Sequence, residues 1–224
     1  MPFRNDARPV GGMDAEFESL ASPAQDGVDS DQAQYETGTT IVGLAAADGV
    51  VMAADQRMSL GGRFTANKNV RKLSQVHPRG VLAISGSVGP AQEVVRSLRA
   101  EASIYESRRG ESMSMTALSQ TAGHLLRGLP VSPLLGGVDE EGGHVFELDG
   151  SGSVLADRYA AGGSGMQVAY GVLEGRYDPE ASLEDARAAA TDAVAAASER
   201  DTASGDGVHL ATITDDGVDI QEGS

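Results

Sequence analysis

The 224-residue chain has no cysteine, no tryptophan, five tyrosines and four phenylalanines, and its only lysines are Lys68 and Lys72. Without cysteine there are no disulfides and no thiolate metal sites. No stretch reaches 18 uninterrupted apolar residues, so no segment reads as a membrane-spanning helix, and the N-terminus lacks the apolar core of a secretory signal. Basic residues are also scarce: 17 against 33 acidic ones give a net charge of −16. Such a surface repels phosphates and anionic headgroups, which excludes nucleic acid and membrane as partners. The four histidines, His77, His124, His144 and His209, are scattered with no i, i+4 pair. They read as ordinary surface or strand residues, and no metal or cofactor is expected.

What is present fits one packed domain. An apolar content of 40% over this length is ordinary for a globular chain. An acidic surface that prefers Arg to Lys suits a protein kept soluble at high salt, where screening shortens the range of self-repulsion. The expectation is a cytoplasmic protein of a halophile.

Composition changes near residue 38. Residues 1–38 carry eight acidic and two basic side chains, Gly11-Gly12 and no sustained periodicity, and read as a disordered leader. From Thr39 the pattern is regular. "TTIVGLAAADGVVMAAD" is two apolar runs around Asp48-Gly49, a β-hairpin signal. "GVLAIS" (80–85) reads as a further strand. Ala91, Val94, Val95, Leu98, Ala102 and Tyr105 share one face of a helix, and Met115, Leu118, Ala122, Leu125 and Leu129 share a face of another after a break at Gly110. "PLLGGVD", "HVFELD" and "SVLADRYA" read as strands, and a helix is expected from about Met166 to Tyr177. Ser182 and Asp185 form a capping-box signal for a helix whose inner face is Leu183, Ala186, Ala190, Val194 and Ala197. "VHLATIT" and "VDIQE" around Asp216-Gly217 make a closing hairpin. Strands and helices come in blocks, which points to an α+β layered sandwich of antiparallel sheets covered by helices. The glycine clusters lack the spacing of a phosphate-binding loop.

The chemistry centres on "YETGTTIVGL", residues 35–44. A threonine hydroxyl is a weak nucleophile without an adjacent base, and one available base is the residue's own α-amine, freed by cutting the preceding peptide bond. A free α-amine has an ordinary pKa near 7.7–8.0, suited to accepting that proton at physiological pH. Cleavage between Gly38 and Thr39 would create this arrangement, and glycine at 38 lets its carbonyl approach the hydroxyl closely. The alternative is that Thr39 and Thr40 are simply β-branched residues opening a strand. Lysine retained at only two positions of an otherwise Arg-biased chain points to a task that needs an adjustable pKa. Asp55, at the end of the hairpin, is placed to pair with such a lysine.

These segments resemble the β-subunits of 20S proteasomes, particularly archaeal ones, among the N-terminal-nucleophile hydrolases. The resemblance rests on "TGTTIVGL" (37–44), "VVMAADQR" (50–57), "KNVRKL" (68–73), "AISGSVGPAQ" (83–92), "LRAEASIYESRRG" (98–110), "LLGGVD" (134–139), "GSGMQVAYGVLE" (163–174) and "RDTASGDG" (200–207), in order across residues 39–224. It implies a four-layer αββα sandwich and a threonine endopeptidase. Thr39 is then the nucleophile, Asp55 and Lys72 its acidic and basic partners, and Gly86 the backbone donor to the oxyanion. Ser164, Asp201 and Ser204 form the network around the freed amine. Arg71 competes with Lys72 for the basic role, and "YAAGGSG" departs from the family's usual Thr-Gly-Ser-Gly form. Met58, Val70, Ile84 and Val88 fall at the positions lining the pocket for the side chain before the cut, and being apolar they imply chymotrypsin-like preference.

By the same resemblance, residues 1–38 are a propeptide removed autocatalytically and residues 39–224 the mature catalytic domain. The implied partners are other β-subunits in heptameric rings, α-subunit rings, a proteasome-activating ATPase and unfolded protein substrates. Two rival readings exist. A simpler bacterial threonine peptidase also begins Thr-Thr-Ile but has a very short leader and lacks "RDTASG". A non-catalytic ring subunit would usually have lost the nucleophile or the lysine.

Overall fold

The computed structural model describes residues 38–223; residues 1–37 and Ser224, and with them the expected leader, lie outside the described residues. The chain enters on β1 (Ile41–Ala46) and turns at Asp48-Gly49 into β2 (Gly49–Asp55), with Ile41 opposite Ala54. A small hairpin, β3 (Met58–Leu60) and β4 (Phe64–Asn67), follows, then β5 (Leu73–His77) and β6 (Gly80–Ala83). Two helices come next, α1 (Val88–Arg109) and α2 (Met115–Leu126). Strands β7 (Leu134–Asp139), β8 (Gly142–Leu148), β9 (Val154–Asp157) and β10 (Tyr159–Gly162) precede α3 (Met166–Arg176) and α4 (Leu183–Ser198). The hairpin β11 (Val208–Thr214) and β12 (Gly217–Gln221) completes the described fold.

The strands form two five-stranded antiparallel sheets. Sheet I has the order β10-β1-β2-β11-β12 and sheet II the order β5-β6-β7-β8-β9. Three apolar clusters fill the spaces between four layers. Leu98, Met115, Leu118 and Leu126 of α1 and α2 pack on Leu82, Leu135 and Phe146 of sheet II. Ile41, Met52, Val81 and Leu134 join the two sheets face to face. Val42, Leu44, Val51 and Ala53 of sheet I meet Ala190, Ala193, Val194 and Ala197 of α4 and Leu173 of α3. The result is the αββα sandwich. Covering sheet I on both sides explains why β1 and β2 read as unbroken apolar runs, since neither face meets water. Each fully buried side chain of this kind is worth about 1.5–3 kcal/mol.

The helix ends follow their local chemistry. Gly110 closes α1 in the left-handed conformation with φ 74°. The Ser114 hydroxyl accepts from the Ala117 N–H at 3.3 Å, and the Ser182 hydroxyl accepts from the Asp185 N–H at 3.2 Å while donating to the Asp185 carboxylate at 2.7 Å.

Four details differ from the sequence reading. "SVLADRYA" is not one strand: the chain bends at Arg158, leaving β9 on the edge of sheet II and β10 on the edge of sheet I, where the Arg158 carbonyl accepts from the Ala45 N–H. The strand expected over 80–85 ends at Ala83, because the Ile84 N–H turns to the Lys72 carbonyl and the Ser85 carbonyl accepts from the Ser132 N–H. Leu129 lies beyond α2, past Gly128 at φ 78°, though it still packs on the same core. Strands β3, β4 and β5 lie between the first hairpin and "GVLAIS", where the sequence reading named no element.

Candidate active site

Thr39 sits just before β1, at the end of sheet I where β2 finishes in Asp55 and the loop ahead of β11 crosses above. It is buried, and its hydroxyl donates to the carbonyl of Gly38 at 2.7 Å. The approach depends on glycine. A Cβ at position 38 would lie 1.7 Å from the Ala203 Cβ and 2.9 Å from the Ser59 hydroxyl, and the latter accepts from the Gly38 N–H at 3.1 Å.

Asp55 is fully buried and takes four donors. Its Oδ1 accepts from the Thr40 N–H at 2.8 Å and from the Lys72 ammonium at 2.6 Å, and its Oδ2 accepts from the N–H groups of Arg57 at 3.1 Å and Gly205 at 2.9 Å. A carboxylate stripped of water is tolerable only with this many partners. Lys72 is itself buried, and burial pushes its pKa below the ordinary lysine value against the opposing pull of Asp55. Arg71 points elsewhere, to an exposed pair with Glu222.

A second arm descends from the loop before β11. Asp201 Oδ2 accepts from the Ser164 and Ser204 hydroxyls, both at 2.6 Å, and the Ser164 oxygen accepts from the Thr39 N–H at 3.1 Å. With Gly162-Gly163-Ser164-Gly165 in place of the Thr-Gly-Ser-Gly form, Ser164 makes these contacts. Gly163, with φ 84°, passes so close that a Cβ there would meet the Thr39 carbonyl oxygen at 2.1 Å.

Gly86 follows β6 with φ 100° and is bridged to Val131; a Cβ there would meet the Pro130 carbonyl oxygen at 2.5 Å. It borders two hollows. The smaller, about 70 Å³, is lined by Thr39, Lys72 and Gly86 together with Met58, Val70, Ile84 and Val88. The larger, about 620 Å³, runs past Gly38, Gly61, Ser85, Ser164 and Thr202. The six other residues expected at the centre therefore gather around Thr39, and the four expected pocket residues line one wall beside it. Sequence reasoning missed Ser59, Arg57, Gly205 and the double engagement of Thr40. Arg57, next but one to Asp55, braces the 201–206 loop by donating to Asp206 at 2.8 Å and to the Thr202 carbonyl at 3.1 Å. Of the histidines, His77 and His209 are buried, His144 pairs with Asp139 at 2.8 Å and His124 is exposed.

Two stacked antiparallel sheets between helix pairs, with a threonine heading a central strand, define the N-terminal-nucleophile hydrolase fold. A proteasome subunit family model matches residues 35–213. The chain is 56% identical over 190 residues to "Proteasome subunit beta" of Halorhabdus utahensis, covering 84% of this chain and 81% of that protein. It is 51% identical over 218 residues to the protein of that name from Halomicrobium mukohataei, covering 96% and 90%, and 58% identical over 186 residues to that of Halobacterium salinarum, covering 82% and 76%. The chain belongs to the proteasome β-subunit family.

Proposed function

We propose that this chain is a catalytic β-subunit of a 20S proteasome core particle, a threonine endopeptidase that cuts unfolded proteins preferentially after hydrophobic residues. The observation that carries this reading is the Thr39 hydroxyl held 2.7 Å from the Gly38 carbonyl oxygen, beside the buried pair of Lys72 and Asp55. In the precursor, Thr39 Oγ1 attacks the Gly38 carbonyl carbon; an ester forms, the Gly38–Thr39 C–N bond breaks, and water then hydrolyses the ester to release the leader. In the mature enzyme Thr39 Oγ1 attacks the scissile carbonyl of a substrate, its proton passing to the freed α-amine directly or through a water. The Gly86 N–H stabilises the oxyanion, a donor of a kind worth about 3–4 kcal/mol when removed. The amine of the substrate's C-terminal portion leaves with a proton, and water resolves the acyl-enzyme.

Retention of both the threonine and the lysine favours this reading over a non-catalytic ring subunit. The 38-residue leader and "RDTASG" favour it over the simpler threonine peptidase. The relatives' names support membership of a proteasome; we extend this to assembly with other β-subunits and with α-subunit rings, a regulatory ATPase and the cytoplasm of a halophile. Among the described residues no helix is long and apolar enough to cross a membrane.

Treatment of the assembled particle with a peptide epoxyketone, which needs the hydroxyl and the free amine together, should label Thr39 covalently in a chain whose mass begins at that residue. Full peptidase activity from material that keeps its leader and resists the reagent would overturn the assignment.

A further inference from the structure

Thr40 joins the two arms of the site. Its N–H donates to Asp55 Oδ1, the oxygen that also takes the Lys72 ammonium, and its hydroxyl lies 2.8 Å from the Ser204 hydroxyl. The direction of that second contact follows from proton counting. Asp201 Oδ2, as a carboxylate oxygen, only accepts, so the Ser204 proton at 2.6 Å is committed to it, and the Ser164 proton goes to it at 2.6 Å in preference to the Thr39 carbonyl at 3.3 Å. Ser204 Oγ has no other proton to give. Thr40 therefore donates to Ser204, Ser204 donates to Asp201, and Ser164 Oγ faces the Thr39 nitrogen as an acceptor at 3.1 Å. The surroundings are cut to admit this hydroxyl. Thr40 is fully buried, and a Cβ at Gly165 would stand 2.0 Å from Thr40 Oγ1.

We propose that Thr40 is a positioning residue whose hydroxyl, acting through Ser204 and Asp201, holds down the basicity of the freed Thr39 amine and aims it at its own hydroxyl. The inference rests on the reading of Thr39 as an N-terminal nucleophile. Hydrogen bonds in a chain polarise one another, so donation from Thr40 strengthens the Ser204 bond to Asp201 and draws carboxylate charge away from Ser164. Ser164 then keeps more of its own proton and is a weaker acceptor for the amine, which disfavours the ammonium form. Without the Thr40 hydroxyl, Asp201 pulls harder on Ser164 and the protonated amine is stabilised. The other charges around the amine are Lys72 and Asp55 from the strand side and Arg57 beside the 201–206 loop, with His209 of β11 behind the Lys72–Asp55 pair. The Thr40 hydroxyl is bonded to Ser204 and not to any of these groups.

Two substitutions separate this role from packing. Thr40→Val keeps the β-branched shape and loses the hydroxyl; Thr40→Ser keeps the hydroxyl and loses the methyl. With a hydrophobic fluorogenic peptide and the assembled particle, Thr40→Val should lower kcat by about tenfold or more with little change in KM, the scale of a hydrogen bond in a charged network. It should also move the acid limb of the pH–rate profile to higher pH, while Thr40→Ser behaves like the parent. Ser204→Ala cuts the same link from the other side and should shift the limb the same way, which serves if Thr40→Val does not assemble. A parental profile for Thr40→Val or Ser204→Ala, or a loss in Thr40→Ser alone, overturns the proposal and leaves Thr40 as a strand residue. Epoxyketone labelling of the parent in the same series keeps the two readings apart, since a parent that is not labelled removes the Thr39 assignment itself.

Discussion

The Lys72 ammonium lies 2.6 Å from Asp55 Oδ1, with the two side chains 5% and 0% exposed, so one of the chain's two lysines is committed to a pair sealed from solvent. Lys72→Ala leaves that carboxylate with backbone donors only and should cost about 3 kcal/mol of stability, the low end for breaking a buried pair. Lys72→Arg restores a positive charge but not an adjustable one, and should lose catalysis by a factor of about 10² or more. Peptide turnover read beside chemical denaturation tests both. An arginine variant retaining a tenth of parental turnover would show that an adjustable pKa is not required.

Gly38 has no room for a side chain. Gly38→Ala should leave assembled particles carrying their leader, visible as unshifted intact mass, because the new Cβ falls 1.7 Å from the Ala203 Cβ and must displace the carbonyl from the Thr39 hydroxyl. Adding Ala203→Gly removes the nearest obstacle, leaving the Cα of residue 203 at 2.8 Å and the Ser59 hydroxyl at 2.9 Å, and should restore part of the cleavage. Normal trimming in the single variant would refute the steric argument.

The pocket beside Thr39 offers a direct test of specificity. Ile84→Asp places a carboxylate among Met58, Val70 and Val88 and should transfer preference from substrates cut after Leu, Phe or Tyr to those cut after Arg. Comparing kcat/KM across a fluorogenic peptide set measures the switch. Unchanged preference would mean that the side chain before the cut is read elsewhere.

Acid sensitivity should come first from two histidines. His77 and His209 are buried, and burial pushes both pKa values below the ordinary 6.5. Well above pH 6.5 they are neutral in folded and unfolded chains alike and do not affect stability. As the pH falls below 6.5 the unfolded chain takes up protons that the folded one resists, so stability drops by up to about 1.4 kcal/mol per pH unit for each histidine. The depressed aspartates, among them Asp149 at about 2, act only near and below their ordinary value of 3.8. Melting temperatures between pH 7.5 and 5 should therefore fall, and His209→Asn should flatten the slope. Equal slopes for parent and variant would exclude His209 as a contributor.

Much of this fold was legible because local chemistry and burial agreed. Asp48-Gly49 turned the first hairpin, Gly110 ended a helix, and the alanine stripe of α4 announced its packing. The β3–β4 hairpin escaped because most of its β4 residues are exposed and leave no alternation to detect. The division of "SVLADRYA" escaped because a strand that changes sheets keeps the same residue types on either side of the bend. At the site, residues with distinctive chemistry stood out, while Ser59, Arg57 and Gly205 did not. Their contribution is a hydroxyl, a brace or an N–H delivered through space by a turn, which no spacing along the chain encodes.

The members of the site are drawn from far along the chain, from Thr39 at its first described strand to Asp201 and Gly205 just ahead of its last hairpin. A ribosome makes that stretch long after Thr39, so on the proposed mechanism a growing polypeptide holds the nucleophilic hydroxyl before it holds the groups that arm it. Under the proposed mechanism self-cutting would report a finished fold, and a misfolded product would stay harmless.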